Sequence, residues 1–147
     1  MKKKVYFVFG IIFILVVIFL IVQIKPLQKK EVCIENKKCF EVEIADTSEL
    51  MSKGLSRRDF LDENKGMLFI FESLSSSNFW MKDMRFSLDM IGINDKKEIT
   101  QIIKNAKPCE EECPIFYFNK TKYVLEISSG LSEKYGFEKG DELILKV

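Results

Sequence analysis

Residues 78–95 read NFWMKDMRFSLDMIGIND. Phe, Trp, Met, Ile and Leu dominate, which is sheet-forming composition, yet Lys82, Asp83, Arg85 and Asp89 are interspersed. The run predicts strands near Phe79–Lys82 and Leu88–Ile93. Asn94-Asp95 then turns the chain into a third strand, Glu98–Ile103. Alternate residues of a strand share a face, so Trp80 and Lys82 are expected to point one way and Phe79, Met81 and Asp83 the other. Asp89 falls on the face of Ile91 and Ile93 and is expected to be partly buried. A buried carboxylate must be paired or hydrogen-bonded, or it takes up a proton.

The flanking sequence extends the same pattern. Upstream, VCIENKKCFEVEIA (32–45) reads as a hairpin, with strands Val32–Ile34 and Phe40–Ala45 about a turn at Asn36-Lys37. Phe40, Val42 and Ile44 alternate with Glu41 and Glu43, giving one buried and one wet face. DTSELMSKG (46–54) is a short helix, with Asp46 as its N-cap, Glu49 completing a capping box and Gly54 ending it. LSRRDFLDENK is irregular. GMLFIFE (66–72) is an apolar run suited to a central strand, and SLSSSN is a loop. Downstream come a loop at 105–116 containing CEEEC, a strand Lys122–Ile127, a second short helix ending at Gly136, and a last strand Glu142–Val147. The fold class is mainly β (α+β): a curled, mostly antiparallel sheet or open barrel with two short helices.

The N-terminus is different in kind. Val5–Ile24 contains no charged residue, and a helix of that length spans about 30 Å, the thickness of a bilayer core. No small-residue cleavage site follows Ile24. The expected layout is a transmembrane signal anchor at 1–24, a stalk at 25–31 and a globular domain at 32–147. Lysines flank the span on both sides, so charge only weakly favours a cytoplasmic N-terminus. The cysteines carry the orientation. Cys33 and Cys39 form one close pair and Cys109 and Cys113 another, as suits disulfides in an oxidising space, so the domain is expected outside the cytoplasm. A four-thiolate zinc site is the weaker alternative.

Composition removes several functions. The chain has no His, and so lacks the commonest general base and metal ligand. Without Lys2, Lys3 and Lys4, its 23 Lys and Arg fall to 20 against 22 Asp and Glu, which offers no net positive field to nucleic acid. No motif calls for a cofactor or a dedicated metal site.

The segments EIADTSELMSKGLSRRDFLDENKGMLFIF, FWMKDMRFSLDM, PCEEECP and YVLEISSG, in this order, resemble the family called domain of unknown function 192. They cover nearly all of residues 41–141. The resemblance implies a small β-rich domain, often behind a signal peptide or anchor, and assigns it no particular biochemical activity. The chain departs from the family pattern at Ser56, Asp83 and Ser87, and in the spacing of Cys109 and Cys113.

The candidate site is a pocket floored by Trp80 and lined by Arg58, Lys82 and Asp89, with Glu126 nearby. Arg forks grip carboxylates or phosphates, and Trp offers an apolar wall. The residues therefore point to a binding module for a small anionic ligand or an envelope component. Two other readings compete with it. One is a hydrolase using Asp89 and Glu126 as paired carboxylates. The other is a structural envelope protein in which an Arg58–Asp89 pair only holds the fold.

Overall fold

The computed structural model describes residues 12–16 and 28–146. Residues 12–16 are helical, with exposed apolar side chains. The rest of the span expected at 5–24 lies outside the described residues. Among the described residues no helix is long and apolar enough to cross a membrane.

The elements run β1 (Lys29–Ile34), β2 (Lys38–Ala45), α1 (Ser48–Lys53), β3 (Lys65–Phe79), β4 (Leu88–Ile93), β5 (Ile99–Ala106), β6 (Phe116–Ser128), α2 (Leu131–Lys134) and β7 (Leu143–Lys146). The seven strands form one sheet in the order β5-β4-β6-β3-β2-β1-β7. Every pairing is antiparallel except β2 with β3, which are joined through α1. The two edge strands meet at one end: Ile99 N donates to Asp141 O, Gly140 N to Ile99 O and Leu143 N to Lys97 O. The sheet is therefore curled, and part of its edge hydrogen-bonding capacity is used internally.

Curling creates two cores. One face buries Val32, Phe40, Val42, Leu68, Ile91, Leu125 and Leu143 together with Leu131 of α2. The other buries Met67, Phe69, Leu88, Met90, Phe118 and Val124 beneath α1, the 54–62 segment and the 80–87 loop. Strands covered on both sides read as continuous apolar runs, which is why GMLFIFE and LDMIGI look alike in sequence. Gly92 is required on the second face, because a Cβ there would lie 2.5 Å from the buried ring of Phe118.

Several local expectations are corrected. The cap of α1 is Thr47, whose hydroxyl accepts from Leu50 N, rather than Asp46. Gly54 does end that helix, at φ +50°. SLSSSN is the second half of the long strand β3, not a loop. Its serines are poor strand formers, but they pair with Phe116–Thr121 of β6 through two register shifts. The strand expected over Phe79–Lys82 stops at Phe79, and Trp80–Ser87 is a loop touching Cys109 by a single bridge at Lys82. Lys29–Glu31, expected in the stalk, are the first half of β1. Both local disulfides form, Cys33–Cys39 across the first hairpin and Cys109–Cys113 within the acidic loop.

Candidate functional site

The register aligns one row of side chains across the second face: Glu43 (β2), Met67 (β3), Glu126 (β6), Met90 (β4) and Ile103 (β5). Glu126 sits at the centre between two buried methionines. It is 4% exposed and makes no side-chain hydrogen bond among the described residues. Burial pushes its carboxyl up to about 8; the Arg58 guanidinium pulls the other way but does not offset the burial. The carboxyl is therefore neutral at pH 7, with one proton to donate.

Glu126 opens into a cleft of about 510 Å³. One wall is the end of α1 with Gly54 and Leu55. The base is the outer side of β3 (Phe69, Phe71, Ser77 and Phe79), and the far wall is the loop from Trp80 to Met84. Trp80 is 58% exposed. Lys53 and Lys82 stand at the mouth, and neither forms an ion pair among the described residues. The Ser77 hydroxyl is buried without a partner among the described residues. Every methionine except Met1 belongs here: Met51, Met81 and Met84 line the cleft, and Met67 and Met90 flank Glu126. Thioethers give a polarizable and adaptable lining.

Loop 80–84 has no strand to hold its shape and is braced from behind. Met81 O accepts from Met84 N and from Cys109 N, both at 3.3 Å, and Cys109 is tied to Cys113. Met81 is fully buried, so the loop is pinned at its centre while Trp80 and Lys82 on either side remain exposed.

The structure divides the residues expected to act together. Trp80, Lys82 and Glu126 line one cleft. Arg58 does not line it. Its guanidinium donates both Nη atoms to the Glu43 carboxylate, at 2.7 and 2.6 Å, which holds Glu43 below its ordinary range and raises Arg58. The expected Arg58–Asp89 pair is not formed. Asp89 is fully buried on the opposite face, where it accepts from Asn105 N at 2.9 Å, Ser132 N at 3.0 Å and Ser132 Oγ at 2.7 Å. It thereby fastens the start of α2 to the sheet. Nor can Asp89 and Glu126 act as paired carboxylates. In register Asp89 stands beside Ile127 and Glu126 beside Met90, so the two acids point to opposite sides of the sheet.

Lys53, the Ser77 hydroxyl and the methionine lining were missed from sequence. The run of Met51, Met67, Met81, Met84 and Met90 was a readable signal. So was the lone Glu within YVLEI, since a carboxyl inside a strand apolar on both faces must be special.

The family profile of DUF192, described as an uncharacterized ACR, matches residues 28–145. No curated protein matches the chain. A crystal structure of a protein of unknown function from Novosphingobium aromaticivorans DSM 12444 superposes with a TM-score of 0.75 at 30% identity, covering 83% of this chain and 89% of that one. A candidate transcription regulator from Sinorhizobium meliloti 1021 superposes with a TM-score of 0.76 at 29% identity, covering 82% and 96%. Sheet, disulfide-bearing loop and cleft all lie within the matched residues, and the chain belongs to the DUF192 family.

Proposed function

We propose that this domain is a binding module, carried outside the cytoplasm on an N-terminal membrane anchor, whose cleft takes a small anionic ligand or the anionic end of an envelope component. The observation that carries the reading is Glu126: a buried carboxyl without a hydrogen-bond partner among the described residues, facing a cleft large enough for a small molecule. Desolvating a polar group without a hydrogen bond costs on the order of 1–3 kcal/mol, so such a group is retained where something else can bond to it. Apolar clefts with a few convergent polar groups are the usual form of a ligand site. Lys53 and Lys82 outnumber Asp83, the one acid besides Glu126 that lines the cleft and itself paired with Arg57, and so favour an anion. The anchor rests on the uncharged run 5–24, and the compartment on the two disulfides.

A hydrolase reading has less support, because the two acids it needs lie on opposite faces. The description of the Sinorhizobium relative suggests a nucleic-acid partner, but 20 basic against 22 acidic residues beyond the first 24 give this chain no charge for one.

Trp80 is the only Trp in the chain, so its fluorescence reports on the cleft alone. Titration with an anilinonaphthalene sulfonate, an anion with an apolar body, is expected to change that emission saturably. Lys82→Ala is expected to weaken binding several-fold with melting unchanged. Equal binding by the variant, or no saturable change, would refute the reading.

A further inference from the structure

The cleft has chemistry at its deep end as well as at its mouth. Resting on the binding reading above, we infer that the ligand is an amphipathic carboxylate whose far end carries a neutral oxygen acceptor: its charged group lies at Lys53 and Lys82, its apolar body runs along the aromatic base, and a carbonyl or ether oxygen accepts from the Glu126 acid.

Three observations lead there. Glu126 lines the cleft, is buried, and makes no side-chain hydrogen bond among the described residues. As a neutral acid it is a hydroxyl-type donor. Phe69, Phe79 and Met81 give the cleft apolar surface, beside the polar Ser52, Ser56, Ser77 and Asn78. The charge that could have made the deep end a second anion site is already engaged, because Arg58 spends its fork on Glu43. A cationic end would also ionise Glu126, but it would have to leave water for a floor of methionine and phenylalanine, where desolvating two charges costs more than one neutral hydrogen bond.

Three related probes, the first two close in shape, separate the possibilities by calorimetry on the intact chain: 4-acetylphenylacetate, 4-isopropylphenylacetate and 4-(aminomethyl)phenylacetate. The acetyl probe is expected to bind at least tenfold tighter than the isopropyl probe. That advantage should persist in Glu126→Gln, whose amide still donates, and vanish in Glu126→Leu. The wild-type comparison needs no variant to fold, and the melting temperature of each variant checks the rest. Equal affinity for the acetyl and isopropyl probes would overturn the inference, with water then satisfying the deep end. Tightest binding by the aminomethyl probe would overturn it in favour of Glu126 as a counter-ion. If the sulfonate probe binds but none of the three does, the ligand class is wrong while the binding reading stands. If nothing binds, both fall together.

Discussion

Glu126 ties stability to pH in an unusual direction for a carboxyl. Its proton leaves at about 8 in the folded chain, against 4.5 as the ordinary value. Between these values the folded state holds a proton that the unfolded state has lost, so stability falls as pH rises through that window. At about 1.4 kcal/mol per unit, the loss is on the order of 5 kcal/mol above the folded value. Glu43 has the opposite sign. Arg58 lowers it, so its contribution is present at neutral pH and is lost only as pH falls below the ordinary carboxylate range. The two effects therefore separate. Glu126→Gln is expected to abolish the alkaline decline in urea midpoint and to melt above the wild type at pH 9, while the acid limb stays as it was. Superimposable alkaline limbs would mean that Glu126 ionises normally. Asp89 is the contrasting acid. It accepts three hydrogen bonds from Asn105 and Ser132, and removing a buried acceptor strands all the donors. Asp89→Ala is expected to cost about 3 kcal/mol and to raise amide exchange in α2, with probe binding in the cleft unaffected. A loss of binding at unchanged stability would return Asp89 to the site.

At the scale of elements, the loop 80–84 depends on a covalent strap. Five residues closed by Cys109–Cys113 hold Glu110, Glu111 and Glu112 together, and Cys109 N holds Met81 O. Opening so short a loop relaxes chain entropy worth about 2 kcal/mol, and the three like charges then repel without restraint. The variant with Cys109→Ser and Cys113→Ser is expected to exchange the Cys109 and Met84 amides at least tenfold faster and to blunt Trp80 emission changes on probe binding. The corresponding change at Cys33 and Cys39 should leave both untouched, and equal effects from the two pairs would mean a global rather than a local role. How much of this was legible follows from pairing. β4 was readable to the residue, because LDMIGI lies between a serine and an Asn-Asp turn. The serine-rich half of β3 was not, since only β6 makes it a strand. Trp80 and Lys82 were singled out by residue type and line the cleft, although the strand geometry used to place them does not exist there. Arg58 could not be assigned its partner, because Glu43 competes with Asp89 only once register shows which face each occupies.

At the scale of the whole molecule, compartment and covalent structure make one joint prediction. All four cysteines are paired, and a family domain at 28–145 follows an uncharged stretch at 5–24. Two short-range disulfides form readily only where the environment oxidises thiols, and the glutathione pool of a cytosol would keep at least the exposed acidic loop reduced. If the anchor leads the domain outward, the intact chain made in a cell should resist thiol alkylation until it is denatured and reduced. Its denatured mass should fall about 4 Da below the all-thiol value, two hydrogens for each bond. Protease added to unbroken cells should remove the domain and spare the lysine-rich terminus. The two measurements are independent, which gives the prediction its force. Protected domain with free thiols would place residues 28–146 in the cytoplasm. Accessible domain with free thiols would keep the topology but remove the strap, and the wall of the cleft would then have to be held by Met81 packing alone.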